Sequence, residues 1–292
     1  MYRKGIILAG GYGTRLSPIT KAISKQLIPI YDKPMVYYPL TTLMLAGIRE
    51  VLIITTPKDK EIFERLFADG SQLGMRIEYE IQYEPKGLAE AFIISEKFLH
   101  QSYSALILGD NLFHGNNLKS ILQNTSNNFS EDATIFAYLV NDPTRYGIVE
   151  FNSSYEVLSI KEKPEKPKSN FAITGLYFYD NTVCARAKTL TPSYRGELEI
   201  TDLNNLYLKD KKLKVNLLGR GMVWLDTGTC DSLHEASSYI RTIENRQGLK
   251  IGCIEEVAYR MGWINETKLT NLIETNVNSS YSKYLLNLIK NI

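Results

Sequence analysis

Apolar, β-branched runs alternate with helical spacing through the first 110 residues. The run Gly5-Ile6-Ile7-Leu8-Ala9 is unbroken, the pattern of a strand covered on both faces. Strands are predicted at 4–9, 50–55, 76–81 and 104–109, with helices between them at 34–46, 58–68 and 87–98. Pro34 suits the first turn of its helix, where the missing N–H has no partner to lose. Strand–helix alternation predicts an α/β fold, a mainly parallel sheet with helices on both faces. Ligands in such sheets gather at the carboxyl ends of the strands. Glycines 10, 11 and 13, Asp110 and Asn111 all follow strand ends and are expected to meet.

Beyond residue 130 strands come in closer succession, at 134–139, 147–151, 156–161 and 172–179, giving a mixed sheet. The charged, proline-containing stretch 163–169 reads as a loop. Helical spacing returns at 230–247, and three more helices are expected in the tail near 254–262, 265–275 and 279–290. The predicted organisation is a main domain over 1–230, divided near 115 into two parts, and a C-terminal helical region over 231–292. No internal repeat stands out.

The 292 residues, 44% hydrophobic, suffice for a large core in one or two domains. No apolar run approaches the roughly 18 residues of a membrane span, and the short N-terminal run is too brief for a secretory signal. Cys184, Cys230 and Cys253 follow no disulfide or metal pattern, which suits a reducing cytoplasm. A net charge of +2 argues against a nucleic-acid partner. His100, His114 and His234 are scattered and read as packing or surface residues.

The most informative string is Gly10-Gly11-Tyr12-Gly13-Thr14-Arg15-Leu16, directly after the first strand. Its glycines let backbone N–H groups approach a ligand. Arg15, with Lys25 ten residues on, adds charge that amides lack. The combination suits a triphosphate. The spacing is neither the dinucleotide Gly-x-Gly-x-x-Gly nor the P-loop Gly-x-x-x-x-Gly-Lys-Ser/Thr, so a nicotinamide dehydrogenase is disfavoured.

With Ser24-Lys25-Gln26-Leu27-Ile28-Pro29, Leu108-Gly109-Asp110-Asn111, Arg145-Tyr146-Gly147, Glu162-Lys163-Pro164, Arg195-Gly196-Glu197 and Trp224-Leu225-Asp226-Thr227-Gly228, this string resembles the signature of the sugar-nucleotide pyrophosphorylases. The match is closest to members that transfer a thymidylyl group to glucose 1-phosphate, and it covers nearly the whole chain. The resemblance implies a Rossmann-like nucleotidyltransferase fold and the conversion of dTTP and glucose 1-phosphate to dTDP-glucose and pyrophosphate. That reaction opens dTDP-rhamnose and deoxysugar synthesis. Its nucleophile, a phosphate monoester with a second pKa of about 6, is mostly dianionic at pH 7 and needs no general base. Catalysis therefore falls to cations. The implied catalytic set is Arg15 on the leaving pyrophosphate, Lys25 on the α-phosphate, and Asp110 and Asp226 as Mg²⁺ ligands.

The implied nucleotide site adds Leu8, Gly10, Gly11, Gly13, Thr14, Gln26, Gln82, Pro85 and Gly87. The Gln82 amide there pairs with thymine N3–H and O4. The thymine methyl adds only a modest increment over uracil. The implied sugar-phosphate site is Asn111, Tyr146, Gly147, Glu162, Lys163, Ile173, Gly175 and Arg195. A glycosidase pair among Glu197, Glu199 and Asp202 is disfavoured. The family also implies a homotetramer with an inhibitory site for dTDP-rhamnose near Gly115, Arg220, Gly252, Cys253, Glu256, Val257 and Arg260. The family's usual Cys-Pro-Glu-Glu reads Cys253-Ile254-Glu255-Glu256 here. Alternatives are a relative making UDP- or ADP-glucose and a non-catalytic nucleotide-binding regulator, the latter disfavoured because all four charged residues are present.

Overall fold

The computed structural model describes residues 2–274 and 279–290. Its centre is a nine-stranded mixed sheet, ordered Val157–Glu162, Gly147–Phe151, Phe171–Tyr179, Tyr103–Leu108, Arg3–Ala9, Glu50–Thr55, Arg76–Ile81. Ala133–Leu139 also pairs with Phe171–Tyr179 and carries Leu213–Leu218. The four N-terminal strands are parallel. Phe171–Tyr179 joins Tyr103–Leu108 antiparallel and opens the mixed half.

The unbroken apolar run of the first strand is explained by two cores. Ile7, Ile53 and Ile107, which stand side by side, face one hydrophobic cluster. Ile6, Leu52 and Leu106, their neighbours, face another. Successive side chains of a strand point to opposite faces, so a strand covered on both sides must be apolar throughout. Each such side chain contributes about 1.5–3 kcal/mol by burial. On the first face lie helices Tyr37–Leu45, Lys60–Phe67 and Leu118–Ser126, together with the tail helices Ile254–Arg260, Glu266–Glu274 and Ser280–Lys290. The second face is covered by Glu90–Ile94, Glu96–Leu99, Val183–Ala187 and Ile200–Lys209.

The predicted helix at 230–247 forms as Cys230–Gln247. The Thr229 side chain accepts from Ser232 N–H in a reciprocal capping box, and Gly248 closes the helix at φ 69°. Two expectations are corrected. Pro34 does not open the first helix: it pairs with Pro29 in a two-residue hairpin strand, and the helix begins at Tyr37. The helix predicted at 87–98 loses its first turn and divides into Glu90–Ile94 and Glu96–Leu99. Gly87 takes φ +102°, and the Ala89 N–H donates to Leu198 O instead of entering a helix. In the tail, the expected helix at 265–275 runs Glu266–Glu274; residue 275 lies outside the described residues.

Candidate active site

The first strand ends at Ala9, and the Gly109 N–H donates to Leu8 O at 2.9 Å, so the ends of two parallel strands stay side by side. That ladder brings Asp110 to the glycine loop. Gly13 sits at φ 60° and opens the short helical turn Thr14–Leu16, with its carbonyl held by the Thr20 hydroxyl at 2.9 Å. Thr14 and Arg15 are exposed on this turn. A side chain at Gly10 would collide with Gln82 Oε1, which lies 2.3 Å from where a Cβ would stand. The glycine there is what lets the Gln82 amide lie over the loop.

Lys25 comes from the next turn, Lys25–Leu27, and is buried with its side chain 7% exposed. Its ammonium forms a short ion pair with Asp110 Oδ2. The other Asp110 oxygen accepts from Asn111 Nδ2 at 2.8 Å. Burial pushes the Asp110 carboxyl up, but the Lys25 charge and hydrogen bond, with the Asn111 amide, outweigh it and hold the group below the usual range. Asp110 thus spends its side chain on Lys25 and Asn111 rather than on capping a turn. Asn111 is engaged at both ends, since its Oδ1 also accepts from Gly175 N at 3.0 Å and Trp224 Nε1 at 2.6 Å. A Cβ at Gly175 would stand 2.6 Å from that oxygen.

Asp226 arrives on a strand absent from the sequence-based expectations. Met222–Asp226 pairs antiparallel with Asn111–Gly115, placing Asp226 opposite Asn111. The Thr227 hydroxyl and N–H both donate to Asp110 O, at 2.9 and 3.2 Å, and fasten the two segments. Asp226 does not cap the following helix; Thr229 does. Tyr146 OH donates to Asp226 Oδ1 at 3.0 Å, and the Arg145 guanidinium lies 3.7 Å from Oδ2. Burial raises the Asp226 carboxyl; Tyr146 and Arg145 oppose this, and the negative charge of Asp110 reinforces it. The point where a Gly228 Cβ would stand is 3.3 Å from Arg15 Nη2 and 3.5 Å from Asp226 Oδ2. Arg15 therefore lies on the Asp226 side of the site, and it makes no ion pair among the described residues.

Gln82, Gly87, Pro85, Leu8, Gly11, Gln26 and Asp110 line one cavity of about 200 Å³. Gln82 is buried, and its Nε2 donates to Glu90 Oε2 at 2.7 Å. Gly87 packs on the loop that carries Arg195: a Cβ there would stand 2.4 Å from Leu198 O, and Leu198 N donates to Lys86 O at 2.7 Å.

Among the residues expected to hold the sugar phosphate, Glu162 Oε2 accepts from Thr201 Oγ1 at 2.7 Å, and a Gly147 Cβ would stand 3.2 Å from the same oxygen. Lys163 and Arg195 lie 3.6 and 4.0 Å from Glu162 Oε1. Arg195 is held more tightly by Glu199, at 2.8 Å. Ile173 is buried nearby, in the strand that carries Gly175. Glu197 and Glu199, two of the three acids among which a glycosidase pair is disfavoured, are ion-pair partners of Arg195.

A separate cavity of about 500 Å³ lies between helices Tyr37–Leu45 and Ile254–Arg260. Gly115, Gly252, Cys253, Glu256, Val257 and Arg260 all line it. Arg220 does not; it is exposed on the turn before Met222–Asp226. Ile254 stands first in its helix, where an N–H needs no helical partner, and its side chain is buried in the core. The cavity also exposes His114, whose Nδ1 is 2.7 Å from Tyr239 OH.

Residues 4–243 match the nucleotidyl transferase family. This chain belongs to that family. It is 54% identical over 287 residues to a glucose-1-phosphate thymidylyltransferase of Neisseria meningitidis serogroup A, covering 98% of this chain and 99% of that protein. A glucose-1-phosphate thymidylyltransferase of Mycobacterium tuberculosis is 52% identical over 98% of this chain and 99% of its own. A solved Bacillus anthracis structure assigned to the same enzyme, bound to sucrose, superposes with a TM-score of 0.75 at 38% identity, covering 82% of this chain and 95% of that one. The resemblance carried by the motifs is therefore borne out, as is the mixed nucleotidyl transferase fold.

Sequence reasoning missed several residues of this nucleotidyl transferase site. Trp224, Thr201, Thr227 and Glu90 each hold a named site residue through a hydrogen bond. Arg145, Trp224 and Thr227 were visible inside motifs, but nothing in the spacing joins Arg145 to a residue 81 positions away. The alternating, aromatic string Met222–Asp226 was the available strand signal.

Proposed function

We propose that this chain transfers the thymidylyl group of dTTP to glucose 1-phosphate, releasing pyrophosphate and forming dTDP-glucose for dTDP-rhamnose and related deoxysugars. The observation that carries this reading is the convergence of Arg15, the Lys25–Asp110 pair and Asp226 beside the cavity lined by Gln82 and Gly87. A sugar phosphate oxygen attacks the α-phosphorus of dTTP and pyrophosphate departs. Arg15, which pairs with no carboxylate among the described residues, grips the leaving phosphates with its planar fork. Lys25 meets the charge that builds on the α-phosphate. Glu162, fixed by Thr201, accepts from sugar hydroxyls, while Lys163 and Arg195 attract the sugar phosphate.

Asp110 and Asp226 are hard oxygen donors from paired segments, and the charge of one raises the pKa of the other. That donor set fits Mg²⁺, which takes one or two carboxylates and completes its shell with phosphates and water. When bound, Mg²⁺ supplies countercharge to the phosphates. Tyr146 and Arg145 keep Asp226 oriented toward the site.

Gly115, Gly252, Cys253, Glu256, Val257 and Arg260 form an inhibitory site for dTDP-rhamnose, with Arg220 at its periphery. The division into a catalytic part over 1–230 and a contact region over 231–292, a homotetramer and a cytoplasmic location complete the proposal; light scattering of the purified protein tests the assembly. Pyrophosphate release from Mg²⁺, glucose 1-phosphate and each of dTTP, dUTP, UTP, ATP, CTP and GTP tests the activity. The expected result is rapid turnover with dTTP, slightly slower turnover with dUTP and rejection of purines. Comparable rates with dTTP and ATP overturn it. R260A is expected to raise the dTDP-rhamnose concentration needed for half-inhibition about tenfold, and unchanged inhibition removes the regulatory assignment.

A further inference from the structure

Gln82 is buried at the floor of the small cavity, and its two amide ends are not equivalent. One end faces Glu90 Oε2 at 2.7 Å; the other lies over Gly10. A glutamate carboxylate at neutral pH only accepts hydrogen bonds. The end facing it must therefore be the NH₂ group. Turning the amide over would set two oxygens against each other in a buried place, leaving an acceptor unmet and adding repulsion. Glu90 opens the helix Glu90–Ile94, so its position is fixed by a regular element rather than by a free loop.

We infer that Glu90 is a specificity-determining positioning residue that locks the Gln82 amide in the one orientation reading an imide edge, the ring N–H beside a carbonyl found in thymine and uracil, and refusing cytosine. The inference rests on the proposed reading that Gln82 faces the base. With Nε2 tied to Glu90, the amide offers Oε1 and the second Nε2 hydrogen in a set order. An imide meets that order with N3–H against Oε1 and O4 against Nε2–H. Cytosine has the opposite arrangement, an amino donor in place of O4 and a bare N3 acceptor. It requires the amide turned over, which Glu90 forbids. Guanine presents the same edge as thymine, so Glu90 does not discriminate against it. Rejection by a fixed buried polar group is stronger than rejection by shape alone.

The test compares kcat/KM for dTTP and dCTP, with Mg²⁺ and glucose 1-phosphate, in the unaltered protein and in E90Q. A glutamine at 90 can present either oxygen or nitrogen to Gln82, so both amide orientations become paired. The unaltered protein is expected to favour dTTP at least about 100-fold, and E90Q to narrow that ratio at least about tenfold, chiefly through a lower KM for dCTP. E90A, which removes the acceptor without offering a donor, should narrow the ratio in the same direction. If Glu90 merely supports its helix, both nucleotides lose kcat/KM alike and the ratio stays fixed, which overturns the inference while the proposed activity stands. If the unaltered protein does not favour dTTP over dCTP, both the inference and the base-reading role of Gln82 fall. Thermal melting of each variant shows that it is folded, and calorimetric dTTP and dCTP binding gives the same ratio without turnover.

Discussion

Arg15 has no carboxylate within ion-pair reach among the described residues, whereas Lys25 is buried against Asp110. The two cations should therefore fail differently. R15A is expected to lower kcat/KM by about 10²-fold or more, as loss of a transition-state donor does, with a melting temperature within about 1 °C of the parent. K25M leaves a largely buried carboxylate unpaired, so it should also cost about 1–3 kcal/mol of stability, or roughly 2–4 °C for each kcal/mol at this size. Parallel kinetics and melting curves separate the two, and equal melting losses contradict the account. His114 gives a pH-dependent case. Burial lowers its pKa, so the unfolded chain takes up a proton first as pH falls. Its contribution is complete above the unfolded value of about 6.5 and is lost as pH drops through the lower folded value. Melting temperatures from pH 8 to pH 5 should fall less steeply in H114Q, which keeps a partner for Tyr239. Identical slopes would dismiss His114 as the source.

At the level of elements, the loops hold more of the site than the strands do. Gly87 and Leu198 join the loop that follows Gln82 to the loop bearing Arg195 through backbone contacts. G87A meets both a positive φ and a carbonyl 2.4 Å from its new carbon, and local strain of about 1–3 kcal/mol follows. We expect the KM values for dTTP and glucose 1-phosphate to rise together, because both loops must shift. A change confined to dTTP would show that the loops act separately. The same elements explain what the sequence made legible. Glu50–Thr55, Arg76–Ile81, Gly147–Phe151 and Cys230–Gln247 match their predicted bounds because local pattern, caps and burial agree there. Asn111–Gly115, Leu213–Leu218 and Met222–Asp226 went unread, since each is short and depends on a partner far along the chain. Leu118–Ser126 and Ile200–Lys209 also went unread; at nine and ten residues they are shorter than the window over which helical spacing declares itself. Pro34 misled because a proline fits a hairpin as readily as a first helical turn.

For the whole molecule, four charged groups connect its parts. Lys33 bridges Asp32 and Glu244, and Lys250 bridges the same two acids, Glu244 at 3.0 Å from Lys33 and 2.9 Å from Lys250. This square ties the hairpin after the Lys25 turn to the long helix and to the segment entering the larger cavity. Burial pushes the Asp32 carboxyl up, but Lys33 and Lys250 more than reverse it, leaving it below its ordinary value. Its contribution is therefore full above the unfolded value of about 3.9 and lost as pH falls through the lower folded one. D32N should destabilise the protein at pH 7 by up to about 3–5 kcal/mol, the upper range for a broken buried pair. It should also flatten the acid side of the stability profile, and denaturant titrations at pH 7 and pH 3.5 measure both. A constant gap between variant and parent across that range would assign the loss to packing alone.

The two-sided first strand has a consequence for how this chain can change over generations. Ile6 and Ile7 serve opposite cores, so a single inserted residue upstream of Gly10 would either exchange those commitments or push the glycine loop out of line with Asp110. An insertion in that stretch is therefore expected to cost more than one in a surface turn, and the short tether from residue 3 to the glycines works as a ruler of set length.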